Sequence, residues 1–248
     1  MPGELQLFLG DPTRGRREPK ATQLHGMVST LLAETDTEHT EADKPWSASL
    51  VRESRERIQA RIGWLAQQPP GLHAPAEVRL GPATYPVLAH RWAPITYERL
   101  AGHSCTEVGL EFLTPTWFSR AGQSLPFPTP TLTFARLTDR WNRHSAHAQQ
   151  IPGPLRSSLL DSLELLAWSG ETWRMDFGRG TRTGFVGRVV VGIDSETPVA
   201  ARPGSGNPET APIAKLLPTL LGALAGFAEL SGVGAQTTYG AGRVRVVE

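Results

Sequence analysis

Residues 210–247 read TAPIAKLLPTLLGALAGFAELSGVGAQTTYGAGRVRVV, and their pattern decides the fold. Thr210 supplies the hydroxyl of a helix N-cap, and Pro212 falls in the first turn, where its missing N–H costs nothing. Ile213, Leu216, Leu217, Leu220, Leu224, Phe227 and Ala228 then recur with a helical period and make one apolar face. The loop 232–242 carries Gly232, Gly234, Gly240 and Gly242, and Arg243 to Val247 alternates as a strand. A helix followed by a glycine loop and a strand reverses the order of a dinucleotide fingerprint or P-loop, and the Gly-Lys-Ser/Thr ending is missing. Such glycines let a backbone approach a ligand and aim amides at phosphate oxygens. The same spacing equally suits a helix C-cap followed by a bulged strand.

Upstream of that ending, Val108, Leu110 and Phe112 alternate as a strand, and Phe134, Leu137 and Trp141 share one helix face. Leu155, Leu159, Leu163 and Leu166 read as a further, inserted helix. Trp173, Met175 and Phe177 open a hairpin whose second strand is the valine-rich run Phe185 to Ile193. The first half has the same order. Leu5, Leu7 and Leu9 alternate, Leu24, Met27, Val28, Leu31 and Leu32 follow a helical period, and residues 45–49 are extended. Arg57 to Trp64 is the cleanest strand alternation in the chain, and a poorly marked stretch, read as a helix, precedes the strand Tyr85 to Trp92. Two successive βαββαβ units predict an α+β protein of two tandem ferredoxin-like domains with antiparallel sheets, spanning residues 1–98 and 106–248.

Composition narrows the class. The 248 residues, 39% hydrophobic and 20% charged, describe a globular chain and exclude a disordered one. The single cysteine excludes an intramolecular disulfide and a cysteine-cluster metal site. The remaining histidines lack metal-ligand spacing, so no metal or cofactor is expected. No signal peptide is read at the N-terminus, and the apolar run Leu216–Ala228, interrupted by Pro218, is short for a membrane span. A cytoplasmic location without membrane association is the expectation.

The net charge of +1 hides a lopsided basic set of 22 arginines and three lysines. Arg136, Arg140 and Arg143 recur at helical spacing opposite the Phe134–Leu137–Trp141 face. Arg174, Arg179, Arg182 and Arg188 lie on the hairpin. Eight arginines against five carboxylates between residues 136 and 188 make a local basic surface suited to an RNA backbone. For any one of these arginines alone, a solvated helix face is the favoured reading.

The ending GVGAQTTYGAGRVRV after an amphipathic helix resembles the glycine-rich signature of the repeat-processing endoribonucleases of CRISPR systems, members of the RAMP superfamily. In the same order, LEFLTPTWFSRAGQSLPFPTP, FARLTDRWNRH and GFVGRVVVGI resemble that family. LHGMVSTLL followed by HTEADKPWSAS resembles the helix and loop that carry its catalytic residues. The resemblance implies binding of CRISPR repeat RNA and metal-independent cleavage of precursor transcripts. A 2′-hydroxyl would attack the adjacent phosphate, leaving a 2′,3′-cyclic phosphate and a 5′-hydroxyl. His39 would act as general acid or base, since imidazole is the side chain best matched to proton transfer near neutrality. Lys44 would stabilise the charge added to the phosphate. His25 or Ser29, one turn apart on the preceding helix, would orient the reacting groups; the family often has a tyrosine where Ser29 stands. The arginines and the amides at Gly232, Gly234, Gly240 and Gly242 would hold RNA. A homodimer or a CRISPR effector complex are possible assemblies. The alternative from another class is a non-catalytic RAMP subunit that coats guide RNA, and the His39/Lys44 pairing is what favours the nuclease. A more distant alternative, a protein-interaction scaffold, would need neither the arginine stripe nor the glycine loop.

Overall fold

The computed structural model describes residues 1–13, 18–32, 44–68, 70, 75–120, 122–178, 180–194 and 210–247. Strand β1 (Gly3–Gly10) lies at the centre of the first sheet, between β3 (Arg57–Trp64) and β5 (Ala83–Pro94). β2 (Trp46–Arg52) pairs with the outer edge of β3, and every pairing is antiparallel. The alternation from Arg57 to Trp64 directs Ile58, Ala60 and Ile62 to the side covered by helix α1 (Ala21–Leu31). There they meet Leu24, Met27 and Val28, all buried.

One expected element differs. The helix read before the fourth strand is absent among the described residues, where β4 (Glu77–Leu80) instead forms a hairpin with β5. Glu77-Val78-Arg79-Leu80 alternates with period two and turns at Gly81, a pattern too short for a helix. The first sheet therefore runs β2-β3-β1-β5-β4, a ferredoxin-like order with an added edge strand.

Helix α2 (Tyr97–Ala101) leads to the second sheet, whose order is β11-β6-β10-β9. It is built from β6 (Glu107–Thr116), β9 (Leu163–Asp176), β10 (Thr181–Ile193) and β11 (Val244–Val247), again wholly antiparallel. A small hairpin of β7 (Phe118–Arg120) and β8 (Gln123–Leu125) precedes helix α3 (Pro130–His144). Helix α4 (Gly153–Ser162) ends before Leu163, so Leu163 and Leu166 belong to a strand rather than to the inserted helix their spacing suggests. Pairing with β10 along the whole of β9 overrides the local period.

Helix α5 (Thr210–Ser231) runs unbroken through Pro218. Its stretch Ile213–Ser231 has the length and apolar composition to cross a membrane, which corrects the expectation that Pro218 leaves too short a run. Here it is the core helix of the second domain: Leu217, Leu221, Leu224, Phe227 and Ala228 are buried against α3 and the sheet. Burial of that face outweighs the hydrogen bond lost at the proline. The two ferredoxin-like domains meet at the C-terminus of α5. Ser47 Oγ donates to Leu230 O over 2.6 Å. Gly63 lies so close that a Cβ there would come within 1.9 Å of the same carbonyl oxygen.

Candidate active site

The domain junction brings together two of the groups expected to do chemistry, His25 and Lys44. Helix α1 holds His25 half-buried at the junction, where its ring stacks on Tyr239, with centroids 3.9 Å apart and planes 6° from parallel. Trp46, fully buried at the start of β2, approaches the same imidazole at 5.3 Å. Lys44 lies just before that strand, and its Nζ is 3.1 Å from His25 Nε2 and 5.4 Å from the centre of the Trp46 ring. An ammonium can only donate, so Nε2 of His25 is the acceptor in this contact. Local pairing fixes the lysine's approach: Leu65 N donates to Pro45 O over 2.7 Å, and Trp46 faces Trp64 across the sheet.

Ser29 shares the helix with His25, yet its buried Oγ makes no hydrogen bond among the described residues. His39 lies outside the described residues, as do its acidic neighbours and Arg179. Tyr239 escaped the sequence reading, which took the loop for its glycines. A lone aromatic ring within a glycine-rich loop was the available signal.

The loop holds that tyrosine by strained, well-tied backbone. Gln236 and Gly240, which flank the 3₁₀ turn Thr237–Tyr239, both have left-handed conformations. Gly232 ends α5 as a left-handed cap, and its amide donates to Ala228 O. A Cβ on Gly234 would sit 2.4 Å from Trp117 O, and one on Gly242 would sit 1.8 Å from Val233 O. Gly240 packs on Leu24 of α1 instead, where a Cβ would sit 3.1 Å from Leu24 Cδ2. The amides of Gly232, Val233, Ala235, Tyr239 and Gly242 donate to main-chain carbonyls within the fold, as a helix cap and strand start require.

The arginines divide. Arg136 and Arg143 are exposed on α3, with Arg136 Nη2 donating to Ser119 O. Arg174 and Arg182 are exposed on the β9–β10 hairpin and carry no ion pair among the described residues. Arg140 points inward. Its Nη1 donates to Ser231 O (2.7 Å) and Thr237 Oγ1 (2.6 Å), and its Nη2 to Trp46 O (2.8 Å). Burial pushes its guanidinium down to about 10, the Tyr97 phenol counters this, and the Arg143 charge adds to the lowering. The turn of the hairpin packs Phe177 5.9 Å from Tyr239 of its own domain and reaches the first domain through Asp176, which pairs with Lys20 at 3.5 Å. Among the described residues no cluster of three or more His, Cys, Asp or Glu side chains could hold a metal ion.

The chain closes its tandem ferredoxin-like domains on a helix–glycine loop–strand ending. Residues 110–244 match the family model of the CRISPR-associated endoribonuclease Cas6, and the chain belongs to that family. Among solved structures, a Cas6 product complex (TTHA0078) is 27% identical, with a TM-score of 0.81 over 100% of this chain and 99% of its own. A substrate mimic complex of the same Cas6 is 28% identical, with a TM-score of 0.75 over 99% of each chain. Thermus thermophilus Cas6 (TTHB231), 23% identical over 100% of this chain and 98% of its own, has a TM-score of 0.70 and shares the fold. No curated protein sequence matches significantly.

Proposed function

We propose that this chain binds CRISPR repeat RNA and cuts precursor transcripts without a metal ion. The 2′-oxygen upstream of the cut forms a new bond to phosphorus while the bond from phosphorus to the 5′-oxygen breaks. A base takes the proton of the 2′-hydroxyl, an acid returns one to the departing 5′-oxygen, and a 2′,3′-cyclic phosphate remains. In-line alignment, proton transfer and stabilisation of the added phosphate charge are the tasks left to the protein.

The observation that carries this reading is the contact of Lys44 Nζ with His25 Nε2, which brings the two ends of the His39-bearing segment to one place. His39 acts as the general acid or base. Lys44 has further N–H donors beyond the one facing His25, and these stabilise the phosphate. Between the two candidates for an orienting partner, the contact with Lys44 favours His25 over Ser29. Exposed Arg136, Arg143, Arg174 and Arg182 hold the RNA backbone. The Cas6 product and substrate mimic complexes support repeat RNA as the ligand.

The test is incubation with the cognate repeat RNA in EDTA, followed by end-group analysis. Cleavage with a cyclic phosphate and a 5′-hydroxyl is expected, slowed roughly 10²–10⁴-fold in His39→Ala. Loss of cleavage in EDTA, or a 3′-hydroxyl product, would contradict the reading.

A further inference from the structure

Arg140 is the one member of the α3 basic stripe whose head group is turned into the protein, and its acceptors belong to three separate elements. Ser231 O is a terminal carbonyl of α5, Thr237 Oγ1 belongs to the glycine loop, and Trp46 O lies in the first domain at the start of β2. Among the described residues no carboxylate takes part. The cation instead faces the carbonyl end of a helix, where the backbone dipole favours positive charge. Only a planar guanidinium offers several donors in a fixed fork able to reach divergent acceptors at once. Trp46 stands two residues after Lys44, and Thr237 two residues before Tyr239. Lys44 touches the edge of His25 and Tyr239 its face. The main chain that carries each partner of His25 is therefore held by the same guanidinium.

We infer that Arg140 is a positioning residue, an interdomain bolt that sets Lys44 and Tyr239 around His25, and not a ligand of the RNA backbone. The inference rests on the proposed reading of the Lys44–His25 site. An ammonium at this position keeps the charge but not the fork. Arg140→Lys should therefore leave RNA affinity and its salt dependence unchanged and slow the single-turnover cutting of bound RNA by roughly 10²-fold, the scale expected when a reacting group is misplaced.

The experiment measures repeat-RNA affinity against salt, and single-turnover cleavage, for Arg140→Lys, Lys44→Ala and the double variant. Thr237→Val and Thr237→Ser are measured beside them, because they alter one acceptor and leave the arginine intact. If Arg140 works through Lys44 as well as through the Tyr239 turn, the double variant should cut more slowly than Lys44→Ala alone but well short of the product of the two single effects, since residues acting as a unit are not additive. Thr237→Val should slow cutting, and Thr237→Ser, which keeps the acceptor, should restore it. Should Arg140→Lys fail to fold, the Thr237 pair carries the test alone. A salt slope lowered by about one, with bound RNA cut at the wild-type rate, would make Arg140 a phosphate ligand and overturn the inference. Independent, multiplying effects of Arg140→Lys and Lys44→Ala would overturn it as well. Wild-type cutting by Lys44→Ala would instead overturn the reading of the site. The bolt would then stand only if Thr237→Val slows cutting and Thr237→Ser restores it.

Discussion

Lys44 Nζ and His25 Nε2 are 3.1 Å apart although nineteen residues separate them in the chain. The ammonium donates and the imidazole nitrogen accepts. The pairing also holds the lysine near the Trp46 ring with its remaining donors unused by the histidine. Lys44→Ala should slow cleavage of bound RNA by about 10²–10³-fold, the range for loss of one donor that stabilises developing charge, with little change in affinity. Single-turnover rates at saturating protein read this directly. A loss confined to affinity would mean that Lys44 binds RNA without acting in the reaction.

Tyr239 meets His25 through its ring. The near-parallel stack on His25 survives Tyr239→Phe and is lost in Tyr239→Ala. The phenylalanine variant should cut within about threefold of the wild-type rate and the alanine variant roughly 10- to 100-fold more slowly, as expected for a misplaced site group. Equal slowing by both variants would move the role from the ring to the hydroxyl.

Gly242 tests the loop as structure. Its φ of +71° and the 1.8 Å approach of a Cβ to Val233 O leave no room for a side chain. Gly242→Ala should lose at least about 1–3 kcal/mol from the left-handed conformation alone, and Tm should fall by roughly 2–4 °C per kcal/mol lost. Gly240→Ala, which meets the movable end of Leu24, should lower Tm less. Thermal unfolding of the two variants without RNA separates these effects from binding. An unchanged Tm for Gly242→Ala would contradict the packing described.

The sequence made most of this architecture legible and part of the site. Arg57–Trp64 alternates so cleanly that its strand has the bounds its pattern implies, because one face is core and the other is not. The α5 face was readable for the same reason except at Leu216, which the period places on the core face and the structure exposes. Leu163 and Leu166 were not, since a leucine every three or four residues suits a helix and only the long pairing with β10 makes them strand. The inward turn of Arg140 was equally hidden. Periodicity places it on the α3 face opposite Phe134, Leu137 and Trp141, and the first domain fills the space that would otherwise be solvent. His25 could be singled out by its place on α1, but its stack on Tyr239 depends on domain docking, which no local pattern encodes.

The tie between the hairpin turn and α1 should weaken in acid. The Gly178 amide, with help from the Lys20 charge, holds the exposed Asp176 carboxyl below its ordinary value. A carboxyl lowered in the folded state adds stability above its ordinary pKa and loses it as pH falls through the lowered value. The Tm difference between the wild type and Asp176→Asn should therefore hold steady above about pH 5 and shrink below about pH 4. A difference that grows on acidification would contradict the assignment.

The most direct test of the central claim uses a repeat RNA with a single 2′-deoxy nucleotide immediately upstream of the cut. The wild-type protein should bind it with unchanged affinity and leave it whole, because the attacking oxygen is gone while every phosphate contact remains. Cleavage of that RNA at the same bond would contradict the mechanism.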